Sequence, residues 1–199
     1  PPTWALLLAS SVRKKGFESQ ILDCNALRLD ESQAVSEIET LKPRLCCFVL
    51  YGQNPNSGTT SMIGAESLSY AIKNSSANTK IAFVGSHVSA LPKQVLSNKS
   101  IDFVLVNEGV YGLIDLLKTD LNSYLENCQA LGFKKDNEMI FNKVGSLVPL
   151  NKMDEDLPGY AWDLLPKKNK TLDLYRASYW HTYFSDEDRC PFAAVYSSL

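Results

Sequence analysis

Several common signposts are missing from this 199-residue chain. No apolar run approaches the ~20 residues needed to cross a bilayer, and no signal peptide opens the chain, so a membrane partner is not expected. Charge of one sign is also missing. The formal net charge is -2 and the basic residues are scattered, which leaves no electrostatic footprint for nucleic acid. There are two histidines, His87 and His181, and His87 has no second His, Cys or carboxylate at metal-ligand spacing, so no protein-only metal site is expected. Neither a Walker loop nor a G-x-G-x-x-G occurs, which removes two common phosphate cradles. The start, Pro1-Pro2-Thr3-Trp4, lacks an initiator Met and suggests an excerpt from a longer protein.

Paired cysteines are missing as well. Five occur, Cys24, Cys46, Cys47, Cys128 and Cys190. Their odd count and irregular spacing argue against a disulfide framework and for a reducing compartment. Cys46 and Cys47 lie inside the apolar run LCCFVLY, where a free thiol acts as a small hydrophobe and neighbours point to opposite faces of a strand. The N-x-S/T matches at Asn74, Asn98 and Asn169 read as background.

What is present is alternation, and the 45% hydrophobic content can bury a core. Residues 4–15 place apolar side chains on one helical face and end in basic residues before Gly16. FESQILD (17–23) reads as a short strand, 31–42 as a helix stopped by Pro43, and 44–51 as a strand buried on both faces. After the polar loop 52–60 come a helix from about Thr60 to Asn74, a strand at 80–85, a short helix at 91–97, a strand at 101–109 and a helix at 110–121. This order predicts an α/β fold, a Rossmann-like (flavodoxin-like) parallel sheet with helices on both sides. The pattern then changes to an antiparallel hairpin at 130–143, turning at Lys135-Asp136-Asn137-Glu138, and an irregular connector. PFAAVYSSL (191–199) reads as one more buried strand.

Ligands of open parallel sheets bind beyond the carboxyl ends of the strands. Three loops fall there: Tyr51 to Thr60, Gly85 to Ala90, and Asn107 to Gly109. Their Gly, Ser, Thr, Asn and Gln residues suit a large neutral ligand better than a phosphate-dominated one. His87 reads as a loop residue bonding backbone or ligand polar groups, and His181, in YWHTYF, as packing. Glu108 reads as a carboxylate accepting backbone N–H bonds, and Asp163 as a cap or turn residue. No catalytic residues are identified. A phosphoacceptor receiver domain fails, because Leu50-Tyr51-Gly52 stands where its Asp belongs. A flavin site depends on a loop after a first strand that this chain does not contain.

The succession PPTWALLLASSVRKKGFESQILD, YGQNPNSGTTSMIGA, VGSHVSALP, VNEGVYGLIDLL, LPGYAWDLLP and RCPFAAVYSSL resembles the N-terminal half of cobalamin-dependent radical S-adenosylmethionine enzymes. The features that carry it are the Pro1-Pro2 loop, the stretch Gly85-Ser86-His87-Val88-Ser89-Ala90-Leu91-Pro92, the Glu108-Gly109 turn and the connector that runs through Trp162-Asp163. The resemblance implies a B12-binding domain over 1–125 lacking its first strand, a hairpin and linker over 126–190, and the first strand of a catalytic barrel at 191–199. It implies a cytoplasmic protein whose intact form also holds a 4Fe-4S cluster and S-adenosylmethionine. The activity implied is that of a methyltransferase acting on unactivated carbon. The C-terminal barrel would be a partner in cis, and the C-x3-C-x2-C cluster motif would follow the last residue here.

Cobalamin would be bound base-off without a protein His ligand, because Asp-x-His-x-x-Gly is absent. The residues implied to line its site are Tyr51, Gly52, Gln53, Asn54, Ser57, Thr59, Gly85, Ser86, His87, Val88, Ser89, Glu108 and Gly109. The alternative is a degenerate domain without corrinoid that serves as a scaffold or substrate-docking platform. Without its first strand, central in the order 2-1-3-4-5, the excerpt alone is expected to be poorly stable.

Overall fold

Three apolar runs form the parallel centre of the sheet. The computed structural model describes residues 1–51, 55–76, 78–166 and 175, with the side chains of 55–57 excepted. His181, Asn169, Cys190 and the expected strand 191–199 lie outside the described residues, as do Gly52, Gln53, Asn54 and the Ser57 side chain. Strand β1 (Leu45–Leu50) pairs in parallel with β2 (Lys80–Gly85), from Leu45↔Lys80 to Leu50↔Gly85. Strand β2 pairs in parallel with β3 (Phe103–Leu105). Side-chain alternation sends Ala82 and Val84 to one face and Ile81 and Phe83 to the other, all four fully buried. This two-sided burial is why the strands read as continuous apolar runs.

Helices cover both faces. On the Ala82 side lie α1 (Thr3–Lys14) and α7 (Val110–Lys118), through Leu7, Leu8, Val12, Val110, Leu113 and Ile114. On the other side α3 (Glu31–Leu41), α4 (Pro55–Ser75) and α6 (Pro92–Ser97) contribute Ile38, Met62, Ala65, Ile72, Val95 and Leu96. Between α1 and α3 sits one turn, α2 (Cys24–Leu27). Helix α3 starts with a capping box: Asp30 accepts from Gln33 N, and the Gln33 side chain accepts from Asp30 N. The turn α5 (Ser86–Ala90) follows β2 directly, where the sequence predicts a loop. Helix α4 begins at Pro55, earlier than the expected Thr60, on a residue whose fixed φ suits the first helical turn.

Two further strands, β4 (Leu131–Lys135) and β5 (Glu138–Phe141), form the expected hairpin. Asp136 and Asn137 at its tip both take positive φ, 51° and 66°, as a two-residue type I′ turn requires. Strand β4 lies antiparallel to β3, with Phe103 opposite Phe133, so the hairpin continues the sheet in the order β1-β2-β3-β4-β5.

Two strand expectations are corrected. Residues 17–23 form no ladder; Phe17, Ile21 and Leu22 pack against the cores, and the outer edge of β1 has no ladder partner among the described residues. A strand needs a neighbour for its backbone groups, and apolar pattern alone does not supply one. The strand expected over 101–109 contracts to Phe103–Leu105, because Asn107 turns into the left-handed region at φ 62°.

The connector is fastened to α1 and α7 by polar clamps. At the end of α8 (Met153–Asp156), Asp156 is 6% exposed and accepts from Lys15 Nζ at 2.8 Å and Tyr111 Oη at 2.7 Å. Its carbonyl accepts from Ser11 Oγ at 2.6 Å. Asp163, expected to cap a turn, accepts from Arg13 Nη1 through both carboxylate oxygens, at 2.8 and 2.9 Å. The hydrogen bonds from Lys15 and then Tyr111 hold the Asp156 carboxyl below the usual carboxylate range, and burial with the Asp156 bond pushes the Tyr111 phenol up to about 12.

A depressed folded-state value stabilises the fold above the unfolded carboxylate pKa, and this contribution is lost as pH falls through the folded value. Asp156→Ala is therefore expected to cost about 2–3 kcal/mol at pH 7. The gap between variant and parent should shrink below about pH 4, where the unfolded carboxylate takes up its proton. Urea midpoints at pH 7 and pH 3.5 check this; a gap constant across that range contradicts it.

Candidate functional site

The three loops expected to form a site meet at the carboxyl edge of the parallel strands, hydrogen-bonded to one another. Thr59 Oγ1 on α4 lies 3.0 Å from His87 Nδ1 on α5. Ser89 Oγ, two residues along, accepts from Asn107 N at 2.9 Å. Tyr51, just past β1, donates its hydroxyl to the Asn107 carbonyl at 2.6 Å. The loops after β1, β2 and β3 are thus linked in pairs through hydroxyl, imidazole and backbone groups.

Close backbone approach makes this edge possible. A Cβ on Gly85 would overlap the Leu50 carbonyl oxygen and sit 2.9 Å from its carbon. One on Gly58 would lie 2.8 Å from both the Leu50 oxygen and Ser86 Oγ. The Ser86 hydroxyl itself is buried and has no hydrogen-bond partner among the described residues. A buried polar atom without a partner costs stability, and a bound ligand group is one way to satisfy it.

The β3–α7 turn is held most tightly. Asn107 and Gly109 both take left-handed φ, 62° and 75°. A Cβ on Gly109 would lie 2.5 Å from Val84 Cγ2, a fully buried methyl. Glu108 acts through both its groups. Its carbonyl accepts from Trp4 Nε1 at 3.0 Å, and its carboxylate accepts from Val148 N of the connector at 2.9 Å. The sequence expectation of a carboxylate accepting backbone N–H holds, with a donor 40 residues away. Beside the turn, a cavity of about 20 Å³ is bounded by Glu108, Tyr111, Gln129 and Leu147, room for about one water.

The expected site residues divide accordingly. Thr59, Ser86, His87 and Ser89 are gathered at the edge with polar groups, and Gly85 and Gly109 allow close approach. Val88 is fully buried in the core, so its side chain contributes packing. The Tyr51 phenol is pushed up to about 12, mainly by burial and further by the Glu108 charge, so it remains a neutral donor to Asn107. Trp4 was not anticipated. Its ring meets Tyr51 at a centroid distance of 5.2 Å, and nothing local in the sequence pairs it with a residue 104 positions on.

Among the described residues no three His, Cys, Asp or Glu side chains stand together as a metal site. Burial raises the Cys46 and Cys47 thiols to about 12, which keeps them protonated. Among the described residues no helix is long and apolar enough to cross a membrane.

Residues 1–117 match the family model of the B12 binding domain. No curated protein matches by sequence. Among solved structures, the chain is similar to the cobalamin-dependent S-adenosylmethionine radical enzyme OxsB with aqua-cobalamin and S-adenosylmethionine bound, at 17% identity and TM-score 0.65. That match covers 82% of this chain and 22% of OxsB. It is also similar to the radical S-adenosylmethionine methyltransferase TsrM from Kitasatospora setae with tryptophan substrate and a SAM analog, at 15% identity and TM-score 0.60, over 70% of this chain and 27% of TsrM. A second TsrM structure, with cobalamin and a [4Fe-4S] cluster, matches at 15% identity and TM-score 0.58, over 74% of this chain and 27% of that one. This chain thus spans about a quarter of the length of these neighbours, and the likeness is one of fold. The chain belongs to the B12-binding domain family.

Proposed function

We propose that this B12-binding domain holds cobalamin at the carboxyl edge of β1–β3, as the corrinoid module of a cobalamin-dependent radical S-adenosylmethionine enzyme. The observation that carries the reading is the buried Ser86 hydroxyl, without a hydrogen-bond partner among the described residues, at an edge where three loops bond to one another through hydroxyl, imidazole and backbone groups. The residues fit the group. A corrin carries neutral amides around its rim and a nucleotide tail, which suits hydroxyl, imidazole and backbone partners better than charged ones. Cobalamin supplies a cobalt centre for carbon transfer, and the protein supplies binding and orientation.

Ser86, His87 and Ser89 serve as polar contacts, while Thr59 holds the His87 ring through Nδ1. Glu108 and Gly109 form the wall opposite. His87 is a binding contact and leaves cobalt without a protein imidazole, in keeping with a sequence that carries no Asp-x-His-x-x-Gly. Methylation of carbon, a catalytic barrel in cis with its 4Fe-4S cluster and S-adenosylmethionine, and a cytoplasmic setting complete the proposal. So does a strand N-terminal to Pro1, seated on the outer edge of β1.

Binding is tested on the full-length protein with two probes, hydroxocobalamin and FMN, followed by removal of excess ligand. Retained corrinoid with a base-off spectrum that His87→Ala leaves unchanged supports the reading. A His87→Ala spectrum that shifts makes His87 a ligand, and retention of FMN in place of corrinoid overturns the assignment.

A further inference from the structure

The β3–α7 turn takes left-handed backbone at Asn107 and again at Gly109, which packs on Val84. Asn takes left-handed backbone more readily than most residues, and contacts with its neighbours then fix it there. Here the surroundings are specific. The Asn107 carbonyl is held by Tyr51 Oη at 2.6 Å and the next carbonyl, that of Glu108, by Trp4 Nε1 at 3.0 Å. The two donors come from one aromatic pair, Trp4 and Tyr51, with ring centroids 5.2 Å apart. One ring belongs to the first turn of α1 and the other follows β1, so two distant elements grip consecutive peptide groups of a third.

We propose that Trp4 is a positioning residue of the corrinoid site: with Tyr51 it forms a two-donor aromatic clamp that holds the Asn107–Gly109 turn in the shape the corrinoid reads. The inference rests on the cobalamin reading for its ligand, and on geometry alone for the clamp. Trp4 acts through the Glu108 carbonyl and needs no contact with the ligand.

Trp4→Phe tests it in the full-length protein, because Phe keeps an aromatic ring against Tyr51 while the N–H donor is lost together with the rest of the indole. Losing one hydrogen bond of this kind is expected to speed amide exchange of residues 107–110 about three- to tenfold, with Ile81 and Phe83 in the central strand unchanged. Hydroxocobalamin affinity should fall by a similar factor while the melting temperature stays within about 2 °C of the parent's. Tyr51→Phe should act on the same turn, and the double variant should lose less than the two single losses added together.

Unchanged exchange at 107–110 in Trp4→Phe overturns the clamp. Faster exchange with unchanged corrinoid affinity overturns its link to the site. If the parent protein retains no corrinoid, the cobalamin reading and the positioning role fail together, and the exchange result still decides whether the clamp exists.

Discussion

Gly85→Ala is expected to lower the melting temperature by about 6–12 °C, the equivalent of roughly 3 kcal/mol in a domain of this size. The added methyl would meet the Leu50 carbonyl oxygen, its carbon at 2.9 Å and Leu50 Cβ at 3.0 Å. Leu50 and Gly85 are register partners at the ends of β1 and β2. Both strands are fixed by a shared ladder and by cores on two faces, so neither can move aside without opening the edge on which the site is built. Gly64→Ala is the contrasting case. Gly64 lies within α4 with nothing within 4 Å of an added Cβ, so Ala there should raise the melting temperature by about 2–4 °C through helix propensity. Thermal melts of the two variants beside the parent check both signs; a Gly85→Ala protein as stable as the parent means the β1–β2 contact is looser than described.

Gly109→Ala should reduce hydroxocobalamin affinity by more than tenfold. Its φ of 75° is unfavourable for Ala by about 1–2 kcal/mol, and the methyl would press on Val84 Cγ2 at 2.5 Å. Relief requires the turn to leave the sheet edge, carrying the Glu108 carbonyl away from Trp4 and its carboxylate away from Val148. Gly16→Ala separates the local backbone cost from the site effect. Gly16 also takes a left-handed φ, 88°, but an added Cβ there has open space, far along the chain from the turn. It should lose comparable backbone energy and keep its affinity for corrinoid. Equilibrium titration of both variants makes the comparison, and equal affinity losses would show that the β3–α7 turn has no special part in binding.

The parallel centre of the fold was legible because two-sided burial demands unbroken apolar runs, and LCCFVL and KIAFVG are such runs. Strand ends in turn located the three loops, since ligand edges follow from parallel topology. The loops' mutual bonds were not legible. Ser89 with Asn107 and Tyr51 with Asn107 are pairings across 18 and 56 residues that no local pattern encodes. The hairpin was recognisable from its turn residues, but its place beside β3 depends on the long-range match of Phe103 with Phe133. FESQILD misled because a strand-like pattern records which side chains are buried and says nothing about a ladder partner. Trp4 was missed for a related reason: a helical apolar stripe accounts for its ring, and only the fold shows where its N–H goes.

The central claim is that this edge binds corrinoid, and a stoichiometry measures it most directly. The full-length protein would be purified anaerobically and saturated with hydroxocobalamin. After desalting, the visible spectrum would be recorded against protein concentration. The account predicts about one corrinoid per chain with a base-off spectrum. A folded protein that emerges colourless from the column would contradict it and leave the domain as a scaffold.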